Sequence, residues 1–385
     1  MTGRQVLKEQ FGAEAEGMFD VIVVGAGPAG AAAAYWLGEA GCRVLILEKA
    51  WLPRYKPCGG AVPAGGLKLL PFDFAPIVQT WVRRVRYSLD GHEDVSYDLP
   101  GPGVAMVMRD RFDAFLVAQS RAEVRDGVAV EAVVEDEAGV TVKAATGESL
   151  RGRYLIGADG ANSRVAWALG LRRARIFTGA IEAEAPAPAH LLAEYANTGL
   201  FRFRSVHYGY AWVFPKGDHL SIGVGGFIKD RLDLRGALRR EAQRLGLSLD
   251  GVPIHGHPLP IYCYPEPVHS RRTLLVGDAA GMVDGFIGEG IRYAIHSGRL
   301  AAQTILTGDI AGYSRLIQRE LGHNLTWARR CGHVFYRFTD FCFHHGVRNP
   351  RTTRVLIDVL NGRRTYRDAV WPVLGCIVES LMRGI

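Results

Sequence analysis

Phe19-Asp20-Val21-Ile22-Val23-Val24-Gly25-Ala26-Gly27-Pro28-Ala29-Gly30, continued by an Ala-rich run to Glu39 and by Arg43-Val44-Leu45-Ile46-Leu47-Glu48, sets the architecture of this 385-residue chain. The unbroken apolar run predicts a buried strand over 19–24, the Ala-rich run a helix over 28–39, and the second apolar run another buried strand over 43–47. Strand, Gly-rich turn, helix and strand form the opening βαβ unit of a dinucleotide-binding fold. Gly25 permits the tight turn, Gly27 lets the backbone approach a pyrophosphate, and Gly30 allows close contact between helix and strand. Amides at the helix start, with Ala29 among the contacts, hold phosphates. Glu48 follows at the roughly 20-residue spacing at which a carboxylate accepts from ribose hydroxyls. Lys49 beside it joins the candidate set. A plain Gly-rich turn with a surface Glu is the alternative, but it does not require strand, helix and acidic terminus in this order.

Outward from this unit, 51–66 is crowded with Pro and Gly and reads as an ordered loop shaped around a ligand. A hairpin is expected from 81–90 and 94–99 about Asp90-Gly91, then a helix over 109–121 and three strands across 127–156. From 177 to 264 the pattern alternates and is rich in aromatic residues, with strands near 200–204, 209–214 and 220–225 and a helix over 232–245. A strand at 273–276 leads into a helix over 291–307, and the remainder reads as helical with breaks at Pro350 and Pro372. The expected fold is α/β, a Rossmann-like cofactor domain (19–75, 104–176, 266–310) interleaved with a mixed β-sheet substrate domain (76–103, 177–265). A C-terminal helical region (311–385) completes it.

Two later segments select the cofactor. Gly157-Ala158-Asp159-Gly160 with Ser163-Arg164, and Val276-Gly277-Asp278-Ala279-Ala280-Gly281, each follow a short apolar strand. The Asp278 carboxylate, on a turn entering a helix, is suited to a ribitol hydroxyl, and the amides of Gly290 and Ile291, after Gly288 at the next helix start, can face the pyrimidine ring of a flavin. Asp278 as a simple helix cap would not need the glycines at 281, 285, 288 and 290. Together with the first turn these motifs resemble the hydroxylase-like FAD superfamily. The resemblance implies non-covalent FAD, with Arg109 reaching it from its helix, Asp159 beside it and Ala132 giving a backbone contact to adenine.

A narrower resemblance is carried by Pro53-Arg54-Tyr55-Lys56-Pro57-Cys58-Gly59-Gly60-Ala61, which is similar to the geranylgeranyl reductase motif ending Lys-Pro-Cys-Gly-Gly. Tyr210-Ala211-Trp212-Val213-Phe214-Pro215 is similar to that family's prenyl-channel strand, and Gly288-Glu289-Gly290-Ile291 looks most like the branch acting on the chlorophyll side chain. Gly285 stands where many archaeal lipid reductases carry Pro. The resemblance spans about 19–308. It implies a reductase that saturates C=C bonds of an isoprenoid chain by hydride transfer from flavin N5, fed by NADPH or a ferredoxin-type carrier. Its substrate is then geranylgeranyl diphosphate, a prenylated lipid, a quinone or a chlorophyll side chain.

By the same resemblance, Cys58, with Gly59 and Ala61, sits near the isoalloxazine, Tyr210 or Cys58 donates the proton, and Tyr210, Trp212, Phe214 and Pro215 contact substrate. The plain alternatives are a packed Cys58 and an aromatic core stripe. Two rival functions remain, a monooxygenase or halogenase on the same fold and a non-catalytic prenyl-binding flavoprotein. Gly281 replaces the His that hydroxylases carry after Gly-Asp-Ala-Ala, which speaks against the first. Intact flavin contacts speak against the second.

The net charge of +7 is spread along the chain with no nucleic-acid motif, so no such partner is expected. Six cysteines without scaffold spacing predict a reducing, cytoplasmic setting. Residues 1–18 lack a secretory apolar core, and no apolar run reaches the roughly 18 residues of a membrane span. A basic surface with an amphipathic end at 370–385 allows peripheral docking at a membrane, or simply a docked terminal helix. Cys331, His333, Cys342, His344 and His345 lack zinc-site spacing, so no metal is expected.

Overall fold

Residues 17–91, 93–174, 176–228, 232–263 and 265–383 are described by the computed structural model. The segment 1–18, read as lacking a secretory apolar core, falls almost wholly outside them, as do the last two residues of the amphipathic end.

The apolar run forms β1 (Phe19–Val24), buried along its whole length. It lies between β2 (Val44–Leu47) and β11 (Ser149–Gly157), parallel to both. Burial on both faces explains why these strands read as continuous rather than alternating apolar runs. With β8 (Glu123–Arg125), β9 (Val130–Glu135), β10 (Val140–Ala144) and β17 (Thr273–Leu275) they make a seven-stranded sheet ordered β8-β2-β1-β11-β10-β9, β17 also pairing with β11. The helix Pro28–Glu39 covers it and packs on the helix Ile291–Thr307, where a Cβ on Gly298 would stand 2.2 Å from the Ala29 carbonyl oxygen. Only glycine lets the backbones approach so closely.

A second seven-stranded sheet is ordered β16 (His255–Ile261), β12 (Ile176–Pro186), β15 (His219–Gly226), β14 (Gly209–Pro215), β13 (Thr198–Phe203), β5 (Arg84–Leu89) and β6 (Glu93–Asp98). Tyr210, Trp212 and Phe214 alternate with Ala211 and Val213 on β14. The aromatic set joins a core shared with the C-terminal helices, and the small set faces a separate core with the helices Ala189–Tyr195 and Leu234–Arg244. A three-stranded sheet of β3 (Ala61–Pro63), β7 (Val104–Val107) and β4 (Val78–Val82) lies between the two larger ones in the chain path.

Several expectations need correction. The loop over 51–66 holds β3 and the first residues of a short helix, Ala64–Leu67. Trp81 belongs to β4 rather than to the hairpin, because the chain changes sheets at Arg83, whose amide and that of Arg84 both donate to the Asn197 carbonyl. The helix from Arg109 ends at Ala118. Pro350 starts a helix, but Pro372 lies inside the continuous helix Tyr366–Arg383. The carbonyl of Asp368, which loses its amide donor to Pro372, is approached at 3.4 Å by the Arg364 guanidinium, and this offsets part of the break.

Candidate active site

The first βα turn is built for close approach. Gly25 has φ +107°, and a Cβ there would lie 2.3 Å from the Ala158 carbonyl oxygen, while one on Gly30 would lie 2.0 Å from that of Gly25. A Cβ on Gly27 would meet nothing nearer than Arg54 Nη2 at 3.9 Å. The helix that follows starts with proline, has no side-chain cap and carries no acid in its first turn. Gly290, which caps the helix Ile291–Thr307, likewise receives no side-chain bond. Gly27, Ala29, Gly290 and Ile291 all line one cavity, so two helix starts bring unfilled amides and their positive dipole ends to the same space.

The charged groups around that space are interlocked. Asp113, fully buried, accepts from Arg109 Nε at 2.8 Å and Nη2 at 2.9 Å, and from Arg54 Nη1 at 2.9 Å. Burial alone would lower the Arg109 pKa, but Asp113 and, less strongly, the Cys58 thiol hold it above its ordinary value. Glu48, buried, accepts from the amides of Ala26 at 2.9 Å and Ala50 at 3.1 Å, tying the end of β2 to the Gly-rich turn. Asp278 is no helix cap. Its carboxylate stands 3.5 Å from Lys56 Nζ and 3.7 Å from His257 Nε2. Burial would raise its pKa, yet Lys56, His257 and Arg109 hold it well below the usual carboxylate range.

The cavity runs on without a break into an apolar tunnel. Cys58, Gly59 and Ala61 wall it on one side and Gly288 on another, while Tyr210, Trp212 and Phe214 form its floor. Beyond them it is lined by Tyr87, Phe203, Phe286, Phe335, Leu356 and Leu360. The last four come from the glycine-rich turn, which carries Phe286, and from the C-terminal helices. The Tyr210 hydroxyl donates to the Ile287 carbonyl and the Tyr336 hydroxyl to that of Phe286 at 2.6 Å, so tunnel aromatics hold the turn that carries Gly288 and Gly290.

Of the residues singled out from sequence, Gly27, Ala29, Cys58, Gly59, Ala61, Arg109, Tyr210, Trp212, Phe214, Asp278, Gly288, Gly290 and Ile291 converge on this cavity. Gly25, Gly30 and Glu48 do not line it; the two glycines shape the turn beside it, and Glu48 holds that turn through the Ala26 amide. Asp159 accepts from Ser163 Oγ at 2.5 Å and from the amides of Arg164 and Val165, which fixes the start of the helix Arg164–Ala168. Lys49 is exposed, and Pro215 pairs with Leu220 past the tunnel edge. Ala132 opens on a separate recess with Asn162, Arg164 and Trp167.

Sequence reading missed Arg54, Asp113 and His257 as site residues, along with Glu182 and Lys216. Lys216 is fully buried, its ammonium donating to the carbonyls of Gly59 and Val107 at 2.8 Å each, and burial draws its pKa below the ordinary lysine value. Glu182 left a signal, two carboxylates at alternate positions of the otherwise apolar run Ile181-Glu182-Ala183-Glu184-Ala185.

Comparison with known proteins agrees with this geometry. The FAD binding domain family matches residues 18–189. A menaquinone reductase of Mycolicibacterium smegmatis is 31% identical over 384 residues, covering 91% of this chain and 93% of that one. A geranylgeranyl diphosphate reductase of Synechocystis is 30% identical, covering 82% of each chain. Among solved structures, a geranylgeranyl bacteriochlorophyll reductase-like protein of Thermoplasma acidophilum superposes with a TM-score of 0.75 at 22% identity, covering 94% of this chain and 96% of its own. A flavin-dependent brominase shares the same fold at a TM-score of 0.71 and 19% identity, covering 96% of this chain and all of its own. The uncapped helix starts, the side-chain-free glycines facing the cavity and the cation-ringed Asp278 fit FAD.

Proposed function

The chain belongs to the geranylgeranyl reductase family of FAD-binding oxidoreductases, and from that premise we propose that it saturates carbon-carbon double bonds in a prenyl chain. When bound and reduced, FAD supplies a hydride from N5; NADPH or a ferredoxin-type carrier is the proposed donor. The observation that carries this reading is the continuity between the cofactor cradle and a tunnel whose walls are almost wholly apolar.

An unactivated alkene offers no carbonyl to polarise, so the protein's task is alignment and exclusion of water. In this reading Gly27, Ala29 and Gly30 receive the pyrophosphate and Glu48 the ribose. Asp278 and Arg109 hold the linker, Gly288, Gly290 and Ile291 meet the pyrimidine edge, and Cys58, Gly59 and Ala61 close over the ring. Tyr210, Trp212 and Phe214 then align the prenyl chain, with the interleaved cofactor and substrate segments read from sequence forming the two halves of the site. The names of two relatives, menaquinone reductase and geranylgeranyl diphosphate reductase, both point to substrates with a prenyl chain.

A substrate of that kind resides in or near a bilayer, and the C-terminal helices offer a docking face. Trp371, Leu374, Val378, Leu381 and Met382 are exposed and fall on one side of the helix Tyr366–Arg383, beside exposed Phe338 and Phe341. The even spread of charge read from sequence needs one qualification, since residues 323–385 hold ten arginines against four carboxylates, a basic excess that an anionic lipid surface would favour. Among the described residues no helix is long and apolar enough to cross a membrane. The helix Pro350–Leu360, which packs on Tyr366–Arg383, lines the far tunnel through Leu356 and Leu360.

The test is anaerobic. The FAD-loaded protein, reduced with dithionite and mixed with geranylgeranyl diphosphate, is expected to regain its oxidised flavin spectrum without oxygen. Reoxidation that occurs only with oxygen and an aromatic substrate would favour a monooxygenase or halogenase, and no reoxidation with any prenyl compound would favour a binding protein.

A further inference from the structure

Hydride transfer to one alkene carbon leaves the other in need of a proton, and the tunnel wall holds a carboxyl group placed to give it. Glu182 and Glu184 lie two residues apart on β12, on the side facing the cavity, whereas Ala183 and Ala185 between and after them enter the opposite core. Glu182 lines the cavity and is 2% exposed. Its Oε1 accepts from the Cys58 amide at 2.6 Å and from the Tyr55 hydroxyl at 3.0 Å. Its Oε2 is buried and receives no bond from any described group.

Among the described residues no cation is bonded to it, since the nearby Lys216 spends its ammonium on two backbone carbonyls and its charge offsets burial only in part. A dry carboxylate without a counter-ion is costly, so this group keeps its proton where an exposed glutamate has lost it. Burial first, and the charge of Glu184 second, raise its pKa to about 7. Behind it, a Glu184 carboxylate oxygen stands 3.1 Å from His219 Nε2, and His219 Nδ1 stands 2.7 Å from Asp218, whose side chain is 88% exposed. Glu184, two residues from Glu182 on the same strand, thus stands close to an imidazole whose other nitrogen meets a solvent-exposed carboxylate.

We propose that Glu182 is the proton source for alkene reduction and that it is recharged from solvent through Glu184 and His219. The inference rests on the prenyl-reductase reading. One alkene carbon gains the hydride, and the π electron pair takes the Glu182 proton at the other carbon. The flavin is left oxidised, the substrate gains two hydrogens, and the resulting carboxylate regains one proton from water by way of His219. Tyr210 is poorly placed for this role, because its hydroxyl proton is donated to the Ile287 carbonyl. The groups facing Glu182 are Tyr55 and Cys58 from the loop, Glu184 on its own strand, Lys216 and His219 from β14–β15, and His255 opposite it on β16, whose ring packs on Tyr55.

The test compares wild type with Glu182→Gln, which keeps an acceptor for the Cys58 amide and the Tyr55 hydroxyl. In infrared titration of the FAD-loaded protein, the wild type is expected to show a protonated-carboxyl band that disappears near neutrality and is missing from Glu182→Gln. In single turnover of the reduced protein with geranylgeranyl diphosphate, the variant is expected to slow alkene reduction by about 10²-fold or more at unchanged FAD content. The wild-type rate is expected to fall as pH rises past neutrality; the variant loses that limb, while Glu182→Asp and Tyr210→Phe retain it. A Glu182→Gln protein that keeps the band, or keeps both the rate and the pH limb, overturns the assignment alone. A wild type that reduces no prenyl alkene overturns the underlying reading and the proton-source role with it.

Discussion

Glu182 binds a proton more readily in the folded chain than in the unfolded one, because burial and the neighbouring Glu184 raise its pKa from 4.5 to about 7. Its contribution to stability is therefore fully present below its unfolded value and is lost as pH rises through about 7. The size of that loss is at most on the order of 3 kcal/mol. Glu182→Gln is expected to flatten this part of the dependence, so that urea unfolding midpoints at mildly acidic and mildly alkaline pH differ less in the variant than in wild type. An equal difference in both proteins would contradict a buried, unpaired carboxyl. The same residue marks the limit of sequence reading. Cys58-Gly59-Gly60 was legible because its residues adjoin in the chain. Glu182 acquires its role from partners 124 and 127 positions earlier, and no local pattern announces them. Glu48 and Asp278 were found by motif, but their immediate partners, the Ala26 amide for one and Lys56 with His257 for the other, came only with the fold.

Among the elements, the helix Tyr366–Arg383 carries the clearest physical contradiction for an isolated protein in water, a stripe of large apolar side chains with Trp371 at 78% and Met382 at 81% exposure. Its opposite side is buried through Tyr366, Ala369 and Cys376, so the stripe is free to meet something else. Wild-type protein is expected to sediment with vesicles containing anionic lipid and to release at high salt. Replacing Trp371 and Leu374 together by Ser is expected to weaken that binding by tenfold or more, at about 1.5–3 kcal/mol for each large side chain buried. Failure of the wild type to bind, or equal binding by the double variant, would remove the docking face. Elements whose signal is local were read closely, above all β1, the helix Pro28–Glu39 and β2. The parallel pairing of β13 with β5 was not, because it joins segments more than a hundred residues apart. Pro372 misled for a physical reason: the carbonyl it strands is met by the Arg364 guanidinium, which offsets part of the cost of carrying proline inside the helix.

At the scale of the whole molecule, function arises where two sheets and the C-terminal helices meet. The parallel sheet aims two uncapped helix starts at one space, the mixed sheet gives that space an aromatic floor, and the helices extend it into a tunnel. The α/β class and the FAD-binding character were legible from ordered motifs. The tunnel was legible only as a row of aromatics on one strand, since its other walls come from helices that no motif covers. The most direct measurement is the mass of a prenyl substrate recovered after a single anaerobic turnover with the reduced protein. The account predicts a gain of two hydrogens for each bond saturated. Recovery of the substrate unchanged, or gain of an oxygen or halogen atom once oxygen is admitted, would contradict it.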